Sequence, residues 1–69
     1  MQAEPVLQPR DLLIYRAPGG VSHPRRAVRC TDAEALVELG GRVRRVQTSA
    51  LAVLRGGVEL PVTWREVAP

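Results

Sequence analysis

The chain has 69 residues with a formal net charge of +3, one cysteine and one histidine, and every one of its ten basic residues is arginine. A chain this short makes one small domain that buries only about 60% of the surface its unfolded form exposes, so its core alone is marginal. Cys30 has no partner for an internal disulfide, and Cys30 with His23 supplies at most two of the four ligands a structural zinc takes, which leaves assembly as the remaining support.

The opening residues, Met1 to Pro5, lack a basic segment followed by an apolar run. The longest apolar run, Ala50 to Leu54, is far below the ~20 residues of a membrane span. Both points lead to the expectation of a soluble, cytoplasmic protein. The exclusive use of arginine has two explanations. Arginine's planar fork suits phosphates and carboxylates, and a GC-rich genome favours Arg, Ala, Gly, Val and Pro codons together.

Residues 1–10, with Pro5 and Pro9, read as an extended N-terminal arm. Asp11 to Ala17 is rich in β-formers and runs into Pro18-Gly19-Gly20, a strand followed by a turn. After a loop, Arg25 to Cys30 reads as a second strand, with Val28 and Cys30 on one face and Arg25 and Arg29 on the other. Thr31 to Leu39 fits two patterns. Ala35, Val37 and Leu39 alternate with Glu34 and Glu38 as in a half-buried strand, while Thr31, Glu34 and Gly40 fit the capping box and C-terminal glycine of a short helix. The strand is favoured, because a helix of barely two turns is marginal and leaves the glycine pair without a strand to turn.

In Arg42 to Gln47 the two valines, Val43 and Val46, lie three apart, and a bulge near Arg44-Arg45 is expected to bring both inward. Thr48 to Ala50 reads as a turn, and Leu51 and Val53 share a face in the next strand. After Gly56-Gly57, Val58, Leu60, Val62 and Trp64 alternate with Glu59, Thr63 and Arg65, a single strand that Pro61 places at a sheet edge. Residues 66–69 form a short tail. Three glycine pairs, at 19–20, 40–41 and 56–57, suit two-residue primed turns. The expected fold is therefore mainly β: a small barrel, residues 11–65, of five to six short antiparallel strands joined by Gly-Gly turns.

Residues 11–55 resemble the SH3-like or Tudor-like barrels of KOW-type and RNA-polymerase-interacting modules. The likeness rests on the Asp11-Leu12-Leu13-Ile14-Tyr15 strand, the glycine turn, the Ala35 to Leu39 strand, and Val43 to Gln47 running into a Thr48 to Leu51 3₁₀ turn. It covers about two-thirds of the chain and includes no invariant site; the Val58 to Trp64 strand is extra, and Arg10-Asp11 stands where many such modules have Gly-Asp. A second set of residues is similar to the β-barrel neck proteins that join head to tail in long-tailed bacteriophages: Tyr15, Pro18 to Gly20, Arg26 to Val28, Thr48-Ser49, Leu54 to Gly56 and Val62 to Val67. Those proteins are usually longer. The two resemblances imply different roles, a binding adaptor in the first case and a ring-forming virion protein in the second.

The candidate binding residues are Arg25, Arg26, Arg29, Arg42, Arg44 and Arg45, on two segments expected to be neighbouring strands with one basic surface, together with Tyr15 at the barrel rim. Such a surface suits nucleic acid or an acidic protein such as a polymerase subunit. With Tyr15 and Trp64 the only aromatic residues, a base-stacking platform is thin. Trp64 continues an inward stripe and reads as core. The carboxylates are scattered, His23 has no visible partner, and no cofactor motif is present, so the chain reads as a binding module without catalytic or metal residues.

Overall fold

The structure is a computed structural model and describes residues 2–67. Nine strands form two antiparallel sheets, and strand makes up 62% of it. In chain order they are β1 (Ala3–Pro5), β2 (Leu12–Ala17), β3 (Gly20–Ser22), β4 (Arg26–Cys30), β5 (Glu34–Leu39), β6 (Arg42–Gln47), β7 (Leu51–Arg55), β8 (Val58–Pro61) and β9 (Trp64–Glu66), with a 3₁₀ turn at Thr48–Ala50. The first sheet has the order β6-β5-β4-β1-β9 and the second β3-β2-β7-β8. The chain passes back and forth between them. The Cα radius of gyration, 11.3 Å, matches the ~11 Å of a single compact domain of this length.

Two of the three glycine pairs form the expected turns. Gly40 and Gly41 have φ of +61° and +78°, and Gly56 and Gly57 +59° and +81°. Both central residues at positive φ define a type I′ turn, whose twist matches the flanking strands. The first pair behaves differently. Pro18 and Gly19 occupy the turn, Gly19 stays at negative φ, and Gly20 at +142° already pairs with Ala17 as the first residue of β3. Pro18 fixes its own φ near −65°, which excludes a primed turn beginning there.

Thr31 to Leu39 is a strand from Glu34 on, with Ala35 and Val37 buried. The residues of the helix-like signature close a turn instead: the Thr31 N–H donates to the Glu34 carbonyl at 2.8 Å. The bulge lies in β4, between Ala27 and Arg29, and not in β6. It turns Ala27 inward opposite Val37, so that Ala27 and not the expected Val28 packs on the core cluster with Cys30. In β6 the register runs unbroken from Leu39↔Arg42 to Glu34↔Gln47. Val46 is therefore buried beside Ala35 while Val43 lies 58% exposed beside Glu38. The type I′ turn sets that register and leaves no extra residue for a bulge.

The final alternating run is two strands, β8 in the second sheet and β9 in the first. The last pair of β8 is Ala52↔Pro61. β7 starts at Leu51, directly after the 3₁₀ turn, so beyond Ala52 only one β7 residue is left to pair with and the chain crosses over. Pro61 does sit on an outer strand, as its missing N–H requires. The N-terminal segment is no free arm: Ala3–Pro5 lies between β4 and β9, pairing with Cys30 on one side and with Trp64, Arg65 and Glu66 on the other. The Val67 N–H donates to the Gln2 carbonyl, so the first part of the expected tail is also tied into the sheet; Met1, Ala68 and Pro69 lie outside the described residues.

One core cluster joins the sheets. Cys30, Ala35, Val37, Val46 and Leu51 are buried in it, with Ala3, Tyr15, Ala27, Leu39, Val62 and Trp64 packed around them. Leu13, Ile14 and Val53 are buried in the second sheet. Burial raises the pKa of the Cys30 thiol, and the negative charge of Asp32 adds to the effect.

Candidate binding surface

The six arginines stand on, or next to, β4 and β6, but these strands are not neighbours, because β5 runs between them. Residues directly opposite in an antiparallel ladder share a face, so one row on the outer face reads Arg29, Leu36, Arg45 and the next Arg26, Glu38, Val43. The intervening strand contributes two carboxylates. Glu38 pairs with Arg26 at 3.4 Å and with Arg25 at 3.8 Å, and Glu34 pairs with Arg45 at 3.7 Å. Arg29 donates to Gln2 at 2.7 Å. Each exposed pair is worth only ~0–1 kcal/mol, yet together they turn the expected basic surface into a mixture of both signs. A shallow depression of ≈ 300 Å³ among Gln2, Arg29, Thr31, Glu34 and Arg45 has the same mixed lining.

Arg42 and Arg44 differ from the other four. By register they share the face of Val46, Val37 and Leu39, but β6 is the outermost strand, so their side chains stand beyond the core and are exposed. Neither has a carboxylate within ion-pair distance among the described residues. Tyr15 is on β2 of the other sheet, half-buried against the core, and is not brought together with the arginines. Trp64 also packs on the core cluster, as its place in the apolar stripe suggests. The ring Nδ1–H of His23 donates to the Leu13 carbonyl at 3.2 Å, a structural bond.

The most buried ion pair among the described residues involves residues outside the sequence-derived site. Arg55 grips the Asp11 carboxylate through two bonds of 2.9 and 2.7 Å, and the Gln8 N–H donates to the same carboxylate at 2.7 Å. Only 1% of the Asp11 side chain is exposed. The Arg55 hydrogen bonds first, and the Gln8 N–H second, hold its pKa down at about 2. The signal lies in Gln8-Pro9-Arg10-Asp11, where proline in second position marks a turn whose last residue can bond back to its first. The clamp fastens the entry of β2 to the end of β7.

Among the described residues no group of three or more His, Cys, Asp or Glu side chains is placed to hold a metal ion, and no helix is long and apolar enough to cross a membrane. Compared with protein families, curated proteins and solved structures, the chain matches none.

Proposed function

We propose that this chain is a non-catalytic binding module that engages an acidic partner protein through the β6 side of its first sheet. The supporting observation is that Arg42 and Arg44 project, without carboxylate partners, from an outermost strand, while Arg25, Arg26, Arg29 and Arg45 are already engaged. Two features favour protein over nucleic acid. Glu34 and Glu38 break the arginine surface that would track a phosphate backbone. Tyr15 and Trp64 are packed on the core, where bases cannot stack on them freely. The resemblance to KOW-type and polymerase-interacting modules is in keeping with an adaptor that docks on a larger assembly.

The test is a nuclear magnetic resonance titration of the labelled protein with a polyglutamate peptide, duplex DNA and single-stranded RNA at low and physiological salt. The peptide is expected to shift β6 resonances at low salt, with at least a tenfold loss of affinity in the Arg42→Glu/Arg44→Glu double variant. The Glu34→Gln/Glu38→Gln variant is expected to gain duplex affinity by removing the interleaved charges. Tight duplex binding by the unaltered protein, with shifts at Arg25, Arg26 and Arg29, would overturn the reading in favour of nucleic acid.

A further inference from the structure

Of the outer strands, β3 and β9 have three residues each, and β8 has four and ends in Pro61. β6 alone is long, with six residues and no proline, so it offers a backbone edge of ~20 Å. Its hydrogen-bonding phase follows from the turn. A type I′ hairpin makes the flanking residues, Leu39 and Arg42, a hydrogen-bonded pair, and such pairs then alternate along the ladder. Arg42, Arg44 and Val46 therefore bond to β5, while the N–H and C=O groups of Val43, Arg45 and Gln47 point to the open side. The same phase in β8 turns the position of Pro61 outward, which shuts that edge to a further strand.

An open edge invites pairing, and its side chains decide with what. A second copy of β6 laid antiparallel sets arginine against arginine, with Arg42 facing Arg44 when the pair is centred on Val43 and Arg44 or Arg45 facing its own equivalent in the next registers, and like charges across a ladder repel. A strand carrying carboxylates is attracted instead. Arg42 and Arg44 lie on one face two residues apart, and Val43 lies between them on the other face, 58% exposed.

We propose that the free edge of β6 is a strand-addition site for an extended acidic segment of a partner protein. The segment extends the five-stranded sheet by one strand, placing carboxylates at alternate positions against Arg42 and Arg44 and an apolar residue between them against Val43. Backbone bonds to Val43, Arg45 and Gln47 provide affinity, and the two arginines with the exposed valine provide selectivity. This rests on the acidic-partner reading above and adds its mode.

The probe is a capped six-residue peptide of alternating glutamate and valine, with the same peptide N-methylated at alternate amides as control. In the full chain it is expected to slow amide exchange at Val43, Arg45 and Gln47, leaving Arg42 and Arg44 unchanged. Arg42→Glu/Arg44→Glu is expected to weaken binding at least tenfold. So is Val43→Pro, which deletes one outward N–H and keeps every bond to β5; unchanged exchange across β5 in that variant verifies its fold. Peptide binding that survives both Val43→Pro and N-methylation but is lost on charge reversal would overturn strand addition while sparing the acidic-partner reading. Absence of peptide binding at low salt would overturn both. Concentration-dependent protection of Val43, Arg45 and Gln47 without peptide would assign the edge to a second copy and overturn the proposal.

Discussion

Asp11 has the most perturbed environment of any carboxyl group described here. Its folded pKa of about 2 lies below the ~3.9 of an unfolded aspartate. A carboxyl group depressed in this way stabilises the fold above pH ~4, and that contribution fades as the pH falls toward 2. Asp11→Asn should therefore melt at a lower temperature than the unaltered protein at pH 7, with the gap closing between pH 4 and 2; a gap constant across that range would mean that the Arg55 contact does not act through charge. Val37 is the other sensitive residue, with 0% exposure at the centre of the core cluster. Val37→Ala removes two buried methyl equivalents and leaves a cavity, about 2 kcal/mol in all. Against the ~3–5 kcal/mol that a core of this size supplies, urea unfolding should show loss of roughly half the stability.

At the level of strands and turns, the glycines differ more than their pairing in the sequence suggests. A Cβ built on Gly41 or on Gly19 meets no atom within 4 Å, so space is available at both. Only Gly41 is at positive φ, +78°. Gly41→Ala should cost about 1–2 kcal/mol through backbone strain alone, whereas Gly19→Ala should be neutral or stabilise by up to about 1 kcal/mol through the unfolded chain. Chemical denaturation of the two variants side by side measures this, and equal losses would contradict the turn assignments. The same contrast bears on β6, because the Gly40-Gly41 turn sets which of its amides face outward.

For the molecule as a whole, the two chain ends do the work that an arm and a tail were expected to leave undone. β1 joins β4 to β9, and Val6 and Val67 add bonds to Thr63 and Gln2. Removing residues 1–9 deletes a strand bonded on both sides, together with the Gln8 bond to Asp11. The truncated chain should lose its cooperative melting transition in circular dichroism; an unchanged melt would show that Ala3–Pro5 is dispensable. Because Ala3–Pro5 is paired on both sides within its own sheet, a ring of copies would have to be held by other residues. Light scattering should accordingly find a monomer at low concentration, and a stable six- or twelve-fold species would reopen the ring.

What was legible from residues alone was local. Alternation in Ala35, Val37 and Leu39, two of the three glycine turns, the Thr48–Ala50 turn and the edge position of Pro61 each depend on neighbours a few residues apart, and each recurs in the structure. Which strands lie side by side was not legible. Alternation states that Val58 to Trp64 has an apolar face but not that its partner β7 starts at Leu51, so the division between sheets was invisible. Composition likewise supplied six arginines in two segments, while the placement of β5 between them decided that Glu34 and Glu38 neutralise one part and leave Arg42 and Arg44 open. Turn chemistry and side-chain period are properties of the chain itself. Strand order, and with it the sign of a surface, arises only when segments distant in sequence compete for the same hydrogen bonds and the same core.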